Sequence, residues 1–256
     1  MPERNQSASL RRALVVLEHV REHGGLTLTQ LATAVGLSKS TVLRLTAPLI
    51  ETRLLERDGK SGAYRLGHGA LRLGQAYLAT LDLRTVAAEE SHRLMSEVRE
   101  TVHLVVYDPP HVVYIDKVEN EATVRMASRI GSRSPVHCTA VGKAILAWQP
   151  EEAVEELVAA GLPERTRHTI TDPARLRDEL ARVRGLGYAV DDRENESEVR
   201  CVAAPIFNHD DEAAAAISVS GLTSRITAAR VRELGPLVAG AAARISRKLG
   251  ASCPNW

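Results

Sequence analysis

A chain of 256 residues, 44% hydrophobic and 25% charged, suits one large or two modest domains with unstapled cores and excludes a largely disordered protein. Three sparse cysteines (Cys138, Cys201 and Cys253) exclude a disulfide framework. No run approaches the ~20 apolar residues of a membrane span, and MPERNQSASLRR lacks an export-signal core, so a cytoplasmic protein with no membrane partner is expected. The net charge of +1 is uneven: residues 1–75 hold 11 Lys and Arg against 6 Asp and Glu, and the rest hold 22 against 26. A basic head on an acidic body predicts a polyanion-binding segment joined to a body of another kind.

In chain order, SLRRALVVLEHVREHGG predicts a helix capped by Ser9, with Leu10, Ala13, Leu14, Leu17 and Val20 inward and Gly24-Gly25 as its stop. Thr27 and Gln30 form a capping box before a second helix burying Leu28, Leu31, Ala32 and Val35. Gly36 permits a sharp turn. Ser38 then caps KSTVLRLTAPLIE, whose inward side is Val42, Leu45 and Leu49. LLERD and AYRLG, joined by Gly59-Lys60-Ser61-Gly62, read as a hairpin. Helix, helix, helix and hairpin over 9–67 make a winged helix-turn-helix.

The exposed side of the third helix would carry Ser38, Lys39, Ser40, Thr41 and Arg44. These are hydroxyls for phosphates or base edges, and a guanidinium for a guanine. Thr27, Arg57, Lys60 and Arg65 complete the candidate DNA contacts. Pro48 falls inside that helix, where it removes a hydrogen bond and predicts a kink or a reset last turn.

Residues 70–82 read as a linker helix between a head, 1–69, and a body, 83–256. RTVAAEESHRLMSEVRE is the body's first helix. TVHLVVYD, HVVYIDKVE, TVRMASR, GYAVDD, VRCVAAPIF and AAAAISVSGL read as strands. TAVGKAILAW, PEEAVEELVAAG, TDPARLRDELARVRGLG and the Thr227-capped TAARVRELGPLVAGAAARISRKLG read as helices. Strands in hairpins with helices between them predict an α+β body around a mostly antiparallel sheet.

Two further features of the body suggest a ligand site. Thr139 or Cys138 precedes a helix start whose amides, at Ala140 and Val141, favour an anion, and Gly142 allows close approach. Ser218 and Ser220 alternate with apolar neighbours and so share a strand face, which on the residues alone reads first as a polar solvent face and second as a ligand wall.

The segments LTLTQLATAVGLSKSTVLRL, GAYRLG, GSRSPVHCTAVGKAILA, RGLGYAVDD, RCVAAPIF and AAISVSG, in this order over roughly 9–250, resemble the IclR family of bacterial transcription regulators. The resemblance implies a winged helix-turn-helix domain, a linker helix and a GAF-like effector-binding domain. It implies a homodimer or dimer of dimers on palindromic operator DNA, acting as a repressor controlled by a small organic acid, with no cofactor. The implied effector residues are Ala140, Val141, Asp191, Cys201, Ser218 and Ser220. An ionised Asp191 would stand off the effector's carboxylate and accept from a hydroxyl instead, which favours hydroxy, oxo, sugar or phenolic acids. Arg193 and Glu198 depart from the family pattern and make the loop 192–198 more charged, and His137 is a further candidate contact.

The same residues admit other classes. His103, His137, Cys138, Asp191 and Cys201 allow a Cys-His-Asp grouping, but no nucleophile motif accompanies them and no enzyme is expected. His103, His137, Cys138 and Cys201 allow a soft metal set, hence a metal-sensing regulator as the alternative, without CxxC or HxxxH spacing. The basic head argues against a pure protein-interaction module.

Overall fold

The computed structural model describes residues 3–80, 82–119 and 127–252. The chain divides into two compact units, Met1–Leu81 and Asp82–Trp256.

In the first unit, α1 (Glu3–His23), α2 (Leu28–Ala34) and α3 (Lys39–Glu51) precede the hairpin β1 (Leu55–Arg57) and β2 (Tyr64–Leu66), followed by α4 (His68–Thr80). Thr27 caps α2 in a reciprocal box with Gln30, and Ser38 caps α3 by accepting from Thr41 N. Gly36 turns the chain between them at φ +64. Val16, Val20, Leu31, Val42, Leu55 and Tyr64 form the heart of this unit's core.

Two expectations for α1 fail. The helix already runs from Glu3, so Ser9 lies inside it rather than capping it. Its inward stripe is Ala13, Val16 and Val20, while Leu10 and Leu14 are exposed. Pro48 does not end α3, which continues to Glu51. Both Pro48 and Arg44 are on the solvent side, so water can serve the Arg44 carbonyl that proline deprives of its donor.

The second unit opens with α5 (Asp82–Val98). Its six-stranded antiparallel sheet has the order β5-β4-β3-β8-β7-β6. The strands are β3 (Thr101–Asp108), β4 (His111–Val118), β5 (Arg133–Pro135), β6 (Ala189–Asp192), β7 (Val199–Phe207) and β8 (Ala213–Leu222). Helices α6 (Ala140–Leu146), α7 (Glu151–Ala160), α8 (Pro173–Leu186) and α9 (Ala228–Lys248) complete the unit. For α8, Asp172 is the N-cap, Pro173 opens the first turn and Gly187 closes it at φ 73. The expected strand TVRMASR has residues 123–126 outside the described residues, and 127–129 form no strand. The short edge strand β5 has no counterpart among the expected strands.

Register fixes which side chains share a face. Asp191 pairs with Cys201, Cys201 with Ser220, and Ser220 with Thr101. One step along, Ala203 pairs with Ser218 and Ser218 with His103. These residues face α6, which packs with α7 and α8 over that side. Val190, Val202, Val219 and Val102 point the other way, to the side covered by α5 and α9.

Candidate functional site

The DNA-facing candidates sit on α3 and the hairpin. Ser38, Lys39, Ser40 and Arg44 are exposed and Thr41 is half-buried. The hydroxyls are partly engaged: Ser38 Oγ lies 2.8 Å from Thr41 Oγ1 and 3.1 Å from Ser40 Oγ. Thr27 Oγ1 donates to Gln30 Oε1 at 2.7 Å. At the hairpin tip Asp58 Oδ1 accepts from Lys60 N at 3.1 Å and Ser61 N at 2.8 Å, which leaves the exposed Lys60 side chain pointing to solvent. Arg57 Nε donates to Gly62 O at 3.1 Å, and Arg65 pairs with Glu56 at 2.8 Å. Such exposed pairs are worth little and can be exchanged for phosphates.

In the second unit Ala140, Val141, Asp191, Cys201, Ser218 and Ser220 all line one small cavity of about 40 Å³. They reach it from α6, β6, β7 and β8. Thr139 Oγ1 accepts from Gly142 N at 3.1 Å and donates to Pro135 O at 2.7 Å, which ties the start of α6 to the end of β5. The amides of Ala140 and Val141 belong to the first helical turn, where no intrahelical acceptor exists.

Sequence reasoning missed several lining residues: Tyr114, Ser128, Asn195, Glu196 and Val199. His103 also lines the cavity, though the sequence offered it only as a metal ligand or catalytic base. Its Nδ1 lies 3.2 Å from Ser220 Oγ and its Nε2 lies 2.7 Å from Ser128 Oγ. Burial, helped by Lys117, pushes its pKa down to about 3, so the ring is neutral. Period-two alternation along TVHLVVYD marks His103 as sharing a face with Val105. Only the register with β8 sets it beside Ser220.

The loop 192–198 forms one wall. Asp191 Oδ1 accepts from Glu194 N at 2.7 Å and from Asn195 N at 3.4 Å. Thr166 Oγ1 donates to Arg193 O at 2.6 Å, and Thr169 Oγ1 to Glu194 O at 2.6 Å. Arg193 adopts φ +67 and pairs outward with Asp192 at 3.0 Å. Glu194 turns inward to an ion pair with the fully buried Lys143, which also lies 3.3 Å from Glu179. Burial, reinforced by Glu194, lifts Asp191 to about 7, with Lys143 opposing.

His103, Asp191 and Cys201 meet in the cavity, but without the ionised thiol that a Cys-His-Asp grouping needs. Cys138 is pushed up to about 12 and Cys201 higher, both chiefly by burial, so neither is a thiolate at neutral pH. His137, outside the cavity lining, has its Nε2 3.0 Å from Pro163 O. Among the described residues no three His, Cys, Asp or Glu are placed to hold a metal ion, and no helix is long and apolar enough to cross a membrane. Cys253 lies outside the described residues.

A winged helix-turn-helix with an exposed basic third helix, carried with a second unit that encloses a small polar cavity, defines a ligand-responsive DNA-binding regulator. The family model "IclR helix-turn-helix domain" matches residues 9–59, and "Bacterial transcriptional regulator IclR C-terminal" matches 75–247. The chain belongs to the IclR family of transcription regulators. It is 36% identical over 253 residues to the transcriptional repressor IclR of Escherichia coli, covering 97% of this chain and 92% of that one. The crystal structure of Thermotoga maritima IclR superposes with a TM-score of 0.78 at 34% identity, covering 95% of this chain and 99% of that one. An IclR homologue from Microbacterium hydrocarbonoxydans, solved in complex with 4-hydroxybenzoate, gives 0.81 at 28% identity, covering 94% and 98%. The protein is accordingly an effector-regulated DNA-binding regulator and not an enzyme.

Proposed function

We propose that the protein is a cytoplasmic repressor, a homodimer or dimer of dimers, that leaves a palindromic operator when a small organic acid fills the body cavity. Thr27, Ser38, Lys39, Ser40, Thr41, Arg44, Arg57, Lys60 and Arg65 supply the DNA contacts, with residues 70–82 as the linker between head and body. The effector lies among Ala140, Val141, Asp191, Cys201, Ser218 and Ser220, its carboxylate on the α6 amides and the two serine hydroxyls. The observation that carries this reading is that these six residues, distant in sequence, line one cavity.

The test is a thermal-shift titration of the full chain with pyruvate, lactate, gluconate and 4-hydroxybenzoate, one acid from each expected class. An acid at ~100 times its dissociation constant adds about 2.7 kcal/mol of stability. Replacing both serines with alanine removes two neutral hydrogen bonds of about 0.5–1.5 kcal/mol each. The double variant should bind operator as before and need roughly tenfold more acid to be released. An unchanged acid midpoint would take the serine pair out of the site.

A further inference from the structure

Among its described lining residues, the cavity that would take an acid has no cation. There is no Lys or Arg among them, while Asp191 and Glu196 both contribute carboxyl groups. His103 is neutral. The buried cation facing Asp191 from α6, Lys143, is committed to Glu194, with Glu179 on its other side. That pair is already balanced. An ionised Asp191 would add an uncompensated buried charge, and an anionic effector a second one in the same small space.

Asp191 is 3% exposed, and both loop amides that bind it, Glu194 N and Asn195 N, donate to Oδ1. That leaves Oδ2 for the cavity. A carboxyl oxygen there is an acceptor when ionised and a donor when protonated. We propose that an anionic effector binds with Asp191 as the neutral acid, Oδ2–H donating to an effector oxygen, so that binding draws one proton into the cavity. This rests on the organic-acid reading above. It reverses the expectation that Asp191 stands off the carboxylate, because that expectation took Asp191 as ionised.

The surroundings fit a single titrating group. Burial and Glu194 raise Asp191 to about 7 while Lys143 lowers it. Facing it are Cys201 from β7, Cys138 ahead of α6, Tyr114 from β4, His103 from β3 and Glu196 from the loop. Cys138 and Tyr114 are pushed up to about 12, and Cys201 further. His103, at about 3, stays neutral. Glu194 is itself raised by burial and needs its own control. The sign follows from linkage. The bound state holds the Asp191 proton more tightly than the free one, so affinity is full below about pH 7 and falls toward tenfold per pH unit above it.

The experiment is calorimetric titration of the full chain with the same four acids at pH 6 and pH 8, each in two buffers of different protonation enthalpy. Expected are near-zero proton uptake at pH 6, close to one proton at pH 8, and about tenfold weaker binding at pH 8. Asp191→Asn keeps an Oδ1 for the loop amides and should abolish the uptake. Glu194→Gln should keep the uptake and shift its onset to lower pH. Should Asp191→Asn not fold, the wild-type pH pair and Glu194→Gln decide. An acid that binds at pH 8 without a proton, or uptake that survives in Asp191→Asn, overturns the proposal and leaves the acid reading standing. Binding by none of the four acids at either pH removes the acid reading and the proposal with it.

Discussion

Arg44 and Lys60 are both exposed cations of the head, yet their loss should read differently. Arg44 stands on the outward side of α3, where a guanidinium can take a guanine edge by two hydrogen bonds. Arg44→Ala should weaken operator binding by about 1–3 kcal/mol and barely affect random DNA. Lys60 stands at the hairpin tip, where the proposed contact is to backbone phosphate. Lys60→Ala should weaken all sequences alike and lower the salt slope by about one. Fluorescence anisotropy on operator and random duplexes at two salt concentrations separates the two, and an Arg44→Ala protein unchanged on both would remove α3 from the major groove. At this scale the sequence was legible where chemistry and period coincide. Ser218 and Ser220 declare a shared face by alternation, and Thr27 and Ser38 declare caps by spacing. His103 and Lys143 do not, because their partners lie at least 25 residues away: Ser128 and Ser220 for one and Glu179 and Glu194 for the other. Lys143 on a helix reads as a solvated charge until the fold encloses it.

Helix α6 shows how an element is held in place by a missing side chain. A Cβ on Gly142 would lie 2.3 Å from both Val136 Cα and Val136 O, backbone that cannot step aside without moving the strand that enters the helix. Gly142→Ala should therefore cost about 1–3 kcal/mol by overpacking, and should weaken effector response because Ala140 and Val141 move with the helix. Gly185, inside α8, has open space where a Cβ would stand, with nothing within 4 Å, and Gly185→Ala should be neutral or stabilise by up to about 1 kcal/mol. Thermal melts of the two variants give opposite signs. Elements with local punctuation were legible: Thr171 or Asp172, then Pro173 and Gly187, mark both ends of α8 without reference to the fold, and the structure makes Asp172 the cap. α1 carries such a mark only at its end, where Gly24-Gly25 follow His23, and β5 carries none. The face α1 buries is decided by the core it meets, so Leu10 and Leu14, at acceptable helical spacing, end outside. β5 has three residues, ends in Pro135 and exists through its pairing with β4, which no local pattern announces.

The whole molecule places opposite charge balances in its two parts, the excess of Lys and Arg in residues 1–75 and the excess of Asp and Glu in the rest. That arrangement places the polyanion affinity in the head, while the proposed acid site belongs to the body. Coupling between two such sites is a free energy shared by both ligands. Whatever factor the acid takes from operator affinity, operator must take from acid affinity. Typical couplings of about 1–3 kcal/mol correspond to roughly 5- to 150-fold. If the acid enters with a proton on Asp191, the proton joins the same cycle. Acid-driven release of operator should then be full below about pH 7 and should need about tenfold more acid for each unit above it. Operator affinity without acid should carry no such step from Asp191. The check is one set of titrations: acid into free protein and into the protein–operator complex, at pH 6 and pH 8. Equal ratios at both pH values, with the acid midpoint rising in parallel in the two series, would place the proton and the acid in one site and the operator in the other. A ratio of acid affinities that differs from the ratio of operator affinities at the same pH would mean that the titrated species are not the two states the linkage describes.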